Sequence, residues 1–243
     1  MRTLQASRCP IQACRWLEWV IAAILASATL HCLAQHSRQT PDPPHVTFVA
    51  RDATALHAIL QMAQQTRQPL GIIFGENPRR LCEIHHAFQI RTGQIRDALD
   101  QAILDTGYSI RDEDDILMLQ PPDLISWQQT LLDYHYESFS QEEPVPMSYL
   151  AAQLTGWMWA AADPAQGYGG SILHSLDDEK VRLGTINGES TEQIANRIVN
   201  LGSKGVWMLK PNTPNPKGPT DEQISIDSYH DDALFLPRLT CAP

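Results

Sequence analysis

The chain has 243 residues, with 28 acidic and 18 basic side chains and a formal net charge of −10. An acidic balance without Lys/Arg clusters argues against nucleic acid and anionic lipid surfaces as partners. The hydrophobic content, 43%, is that of a chain with a packed core rather than a disordered one.

Residues 1–34 read as a secretory signal peptide. Arg2, Arg8 and Arg15 supply the positive start, Trp19 to Leu30 is apolar or small throughout, and Cys32-Leu33-Ala34 offers a cut before Gln35. The apolar run is shorter than the roughly 20 residues that span a bilayer. The mature chain is therefore expected in the periplasm or outside the cell, with no membrane insertion after cleavage; the alternative is that the segment is kept uncleaved as a membrane anchor. Losing three arginines and one glutamate takes the charge from −10 to −12. Of the five cysteines, only Cys82 and Cys241 then remain. They form either one disulfide, as an oxidising compartment allows, or two buried thiols.

Residues 35–45 are a polar, proline-bearing leader. From Val46 the alternation Val46, Phe48, Ala50 predicts a strand. Asp52 is placed to cap a helix whose apolar face is Leu56, Ile59, Leu60 and Ala63. Pro69 stops it, and Leu70 to Phe74 reads as a buried strand before the turn Gly75–Pro78. Glu83 to Arg91 is a strand, Ile95 to Ile103 a helix closed by Gly107, and Tyr108–Ile110 with Ile116–Leu119 a hairpin around an acidic tip. The order is β-α-β, then β-α-β-β, ended by Pro121-Pro122.

A second region runs from Leu124. Ser126 to Tyr136 fits helix or strand. Pro146 opens a helix through Tyr149, Leu150, Leu154 and Trp157, ended by Asp163-Pro164, and Gly167–Gly170 is a loop. Lys180 to Ile186 reads as a strand, Ser190-Thr-Glu-Gln193 as a capping box, and Val206–Leu209 as a closing strand. Past the linker that follows Pro211, Gln223 to Tyr229 alternates like an edge strand. The two regions look related. With Gly107 set on Gly202, Leu99, Ile103 and Leu104 fall on Ile194, Ile198 and Val199, and, with the second hairpin five residues shorter, Met118-Leu-Gln-Pro121 falls on Met208-Leu-Lys-Pro211. The expected organisation is α+β: two strand-helix-strand units, 46–121 and 124–211, with helices on one face of short mixed sheets, then a tail at 212–243.

The opening VTFVARDATALHAILQMAQQT, the helix GQIRDALDQAILDTGYSI and the strand DDILMLQP resemble the small domain found at the N-terminus of secretins and of some TonB-dependent receptors, the STN family. The resemblance covers 46–121, with a weaker second copy at about 180–211. It implies a periplasmic α+β fold that engages another envelope protein, and it carries over no catalytic residue.

Residue by residue, no catalytic, cofactor or metal set emerges. Glu83 with His85-His86 is the sharpest cluster, but neighbouring strand residues face opposite ways and two ligands do not close a zinc site. His57 reads as a boundary residue, His135 as part of an aromatic surface between Tyr134 and Tyr136, and His174 as a loop residue. No HExxH, GxSxG or CxxC occurs. Asp112–Asp115 reads as a solvated hairpin tip and Gly167–Gly170 as a plain loop. Trp157 and Trp159, two apart on one helix, face different directions, and an exposed tryptophan marks interfaces. Met118 and Met208 lie in the two strands, 108–119 and 205–209, expected to offer an edge to a partner. The expectation is a non-enzymatic envelope interaction module. The alternative is a secreted hydrolase or metal-dependent enzyme using His and Asp/Glu in a cleft between the units.

Overall fold

The computed structural model describes residues 46–77, 79–83, 85–113, 115–164, 179–211, 218 and 222–229. The signal and leader segments, the Gly167–Gly170 loop, His174 and Cys241 fall outside them. Strand β1 (Val46–Thr54) alternates buried and exposed residues at its start and pairs antiparallel with β3 (His85–Thr92), Val46 opposite Thr92. The register shifts between Ala50 and Ala53, so Arg51 and Asp52 sit in an irregularity of the bulge type. Helix α1 (Ala55–Thr66) begins after Thr54, whose hydroxyl accepts the His57 N–H at 3.1 Å. Thr54, not Asp52, is thus the cap, because the strand runs on past Ala50 to Thr54.

Strand β2 (Leu70–Ile73) is buried throughout. Helix α2 (Arg80–Glu83) adds a single turn in the connection, and α3 (Ile95–Ala102) buries Ile95, Ala98, Leu99 and Ala102. Strands β4 (Ser109–Glu113) and β5 (Ile116–Gln120) form the expected hairpin. Helix α3 ends at Ala102, so Leu104 is 78% exposed, whereas its proposed counterpart Val199 is fully buried. The likeness between the two helices therefore stops one residue earlier than the aligned sequences indicate.

In the second region α4 (Ser126–Leu132) resolves the ambiguous stretch as helix in its first half. Strands β6 (Ser138–Gln141) and β7 (Val145–Pro146) precede the long helix α5 (Met147–Ala162). The expected strand 180–186 is two short ones, β8 (Lys180–Val181) on β7 and β9 (Gly184–Asn187) on β6, with Leu183 turned inward between them. Helix α6 (Thr191–Asn200) starts with the predicted capping box: Gln193 N–H to Ser190 Oγ at 3.2 Å, Ser190 N–H to Gln193 Oε1 at 2.8 Å. Strands β10 (Gly205–Pro211) and β11 (Glu222–Ser228) follow.

The protein is α+β, with helices packed on small sheets. Its main sheet runs β11-β10-β2-β5-β4, with β2 parallel to both neighbours. Strands of both sequence regions thus share one sheet, and its alternating side chains build two cores. Leu70, Ile72, Leu117, Leu119, Val206 and Met208 face α1 and α3. Ile73, Ile116, Met118, Trp207 and Leu209 face α4, α5 and α6. The division at Pro121-Pro122 separates two helical layers, one on each face of the sheet, and does not separate two sheets. A continuous apolar strand such as β2 needs cover on both faces, and the second region supplies the missing half. Gly71 makes the join possible. A Cβ there would lie 2.7 Å from Trp207 Cε2 and 2.7 Å from Met118 Cε. The absent side chain lets the Trp207 indole, fully buried and bonded to Asn196 Oδ1 at 2.7 Å, lie across the strand.

Two expectations about the interaction surface are corrected here. Strand β10 lies between β11 and β2, so 205–209 is no edge. Met118 and Met208 are 0% and 3% exposed, on opposite faces of the sheet, and belong to the cores. The edges of the main sheet are β4, in the expected 108–119 hairpin, and β11, and side chains occupy some of their main-chain groups. On β11, the Ile224 N–H donates to Thr155 Oγ1 at 3.0 Å and the Trp159 indole donates to the Glu222 carbonyl at 2.7 Å. On β4, Arg96 donates to the Ile110 carbonyl at 2.6 Å while pairing with Asp112. Such cover is how proteins keep edges from pairing with strangers.

Candidate functional site

Among the described residues, a cavity with apolar walls lies on the α5 side of the sheet, between the α4–β6 connection and the flank of α5. The connection is fixed by main-chain bonds to the turn before α6. Tyr136 N–H donates to the Glu189 carbonyl at 3.1 Å, Gly188 N–H to the Tyr136 carbonyl at 3.0 Å, and Thr191 N–H to the Tyr134 carbonyl at 3.0 Å. The His135 ring bonds the Gly188 carbonyl through Nδ1 at 2.6 Å. Tyr134 and Tyr136, two apart in extended chain, are thereby held on one side, and Phe139 of β6 continues the row.

Helix α5 supplies the opposite wall. It turns Met147, Leu150, Leu154 and Met158 into the core, which leaves Trp157, Ala160 and Ala161 on a flank, as i, i+3 and i+4 neighbours must be. The Trp157 ring meets Phe139 edge-on at 4.7 Å between centroids and Tyr136 at 5.3 Å, and Tyr136 meets Tyr134 at 5.1 Å. These are favourable aromatic geometries. Ala160 and Ala161 carry only methyl groups, so the space beyond Trp157 stays open as a cleft of about 360 Å³, with Glu137 and Ser138 at its rim. The Tyr136 hydroxyl lies 3.0 Å from Thr191 Oγ1, and burial pushes its pKa up to about 12. It is therefore a neutral hydrogen-bonding group at physiological pH.

Of the residues singled out in the sequence, Trp157 lies in this cleft. Trp159 does not: it is half-buried and its indole N–H holds the β11 edge. Cys82 is disulfide-bonded and packs at the rim of the first core. The other side of the expected Cys82–Cys241 pairing lies outside the described residues. Among the described residues no three of His, Cys, Asp and Glu gather as a metal site, and no helix is long and apolar enough to cross a membrane. A second, polar groove of about 270 Å³ runs along α6 past Gln193, Asn196 and Arg197, where Arg197 is tied to Glu189 at 2.6 Å. Sequence reading missed Phe139, Ala160 and Ala161. The signal that points to them is spacing: two alanines one turn beyond a tryptophan on a helix flank mark a place where the surface is hollow. Compared with models of protein families, with curated sequences and with solved structures, the chain matches none.

Proposed function

We propose that this chain is an exported, non-enzymatic interaction module of the cell envelope that receives a partner protein in the aromatic cleft. One observation carries the reading. Among the described residues the exposed large apolar side chains are Val49, Leu104 and Tyr134, and of these Tyr134 borders the cleft, continuous with Tyr136, Phe139 and Trp157. Isolated apolar side chains on a surface are ordinary, whereas grouped aromatics beside a hollow are the usual anchor points of interfaces. The compartment is supported by the signal-like segment 1–34, and the class of partner by the resemblance of 46–121 to a domain that works beside envelope channels and receptors. With its edges β4 and β11 occupied by side chains, the main sheet is a poorer docking surface than the cleft.

The test is a photo-crosslinking residue placed at Ser138, in full-length protein made in its own cells. A discrete adduct at Ser138, with none at the exposed control Gln89, is expected, together with a mature N-terminus at Gln35. No adduct at Ser138, or the same adducts at Gln89, would sink the reading.

A further inference from the structure

We infer that the occupant of the cleft is a positively charged side chain, an arginine in a basic segment of the partner protein. The inference rests on the reading of the cleft as the interaction site and specifies its chemistry. Three features of the walls point the same way. The π faces of Tyr134, Phe139 and Trp157 carry partial negative charge and attract cations. Ala160 and Ala161 lie in the last turn of the 16-residue helix α5, whose C-terminal end carries partial negative charge from its aligned peptide dipoles. Glu137, exposed and in no ion pair among the described residues, adds a full negative charge at the rim. Among the described residues no lysine or arginine lines the cleft. An anion would meet repulsion from all three features, and a neutral apolar group would leave Glu137 and the helix end unanswered. A guanidinium answers each of them, since it is planar enough to lie on a tryptophan face and its forked donors match a carboxylate. The chain's charge of −10 would also steer a basic partner toward it.

The experiment follows the Trp157 indole N–H resonance of the full-length mature protein, assigned with Trp157→Phe, during titration with acetyl-Gly-Gly-Arg-Gly-Gly-amide. The same peptide with citrulline replacing arginine is the uncharged control. A saturable shift is expected with arginine and about tenfold weaker binding with citrulline. Glu137→Gln should weaken arginine binding by roughly three- to thirty-fold. Ala160→Leu, which fills the cleft, should abolish it while circular dichroism stays unchanged. Equal binding of the citrulline peptide, or an unaffected Glu137→Gln, would overturn the inference. So would tighter binding of tetramethylammonium, which would make the cleft a small-cation site rather than a dock for a partner's arginine. A Ser138 adduct without any arginine response leaves the interaction reading standing and removes the cationic occupant. An arginine response without an adduct does the reverse.

Discussion

The two faces of the main sheet are covered by the same device, carried through on one and left incomplete on the other. On the first face the β1–β3 ribbon is paired from Val46–Thr92 to Thr54–His85 and lies over α1 and α3, with Phe48 and Phe88 buried at 6.1 Å from each other. On the second face the ribbon is split: β6 and β9 pair over four positions, β7 and β8 over two. The shorter ribbon leaves the flank of α5 uncovered. Its aromatic residues, Tyr136, Phe139 and Trp157, are half-buried where Phe48 and Phe88 are enclosed. A candidate site thus arises where a repeated packing scheme runs out of strand.

The largest effect is expected where the two faces meet. Trp207→Ala removes the side chain that crosses β2 and should cost about 3–5 kcal/mol. Because the sheet is shared, urea unfolding followed by far-ultraviolet circular dichroism and by fluorescence should give coincident transitions in wild type and variant. Separate transitions for the two layers would show that they fold independently.

Next comes the guarded edge on the α5 side. Thr155→Val keeps the shape but leaves the buried Ile224 N–H without an acceptor, at a cost of about 1–3 kcal/mol. The exposed strand should also promote association at high concentration, detectable by analytical ultracentrifugation. A variant as stable and monomeric as the parent would show that α5 does not guard that edge.

The helix caps compare the faces directly. Thr54→Ala at α1 and Ser190→Ala at α6 should each lose about 1 kcal/mol. Gln193→Ala should add a separate loss at α6, because the Gln193 side chain accepts the Ser190 N–H.

The smallest effect is alkaline. Burial raises the Tyr136 pKa from 10.0 to about 12, so the folded state favours the neutral phenol. Its contribution to stability is complete below pH 10 and fades as the pH rises from 10 toward 12. Tyr108 and Tyr229 are raised further, also by burial. Tyr136→Phe should flatten the fall in stability over that window. An unchanged slope would mean that the hydroxyl is open to solvent.

Local signals in the sequence carried a good part of this architecture. The β-α-β, β-α-β-β order, the hairpin at the acidic tip, the Ser190 capping box and the alternating β11 are each dictated by residues within a few positions of one another: an apolar period, a glycine after a helix, a hydroxyl three residues before a glutamine. The resemblance of two short motifs, Met118-Leu119 and Met208-Leu209, was also visible, but not its meaning. Both strands flank β2, and their register differs by one residue: Met118 stands opposite Gly71 and Met208 opposite Ile72. Because side chains alternate along a strand, that single step sends matching residues to opposite faces. Pairing of β2 with strands 47 and 136 residues further along decided this, as tertiary packing decided that Thr155 and Trp159 would close an edge and that Trp157 would stand over two alanines at an open cleft. Helix and strand periods are properties of neighbouring residues and can be read along the chain. Which strand becomes central, which edge is covered and where the cover falls short depend on distant segments competing for the same apolar surface, and only the assembled fold fixes them.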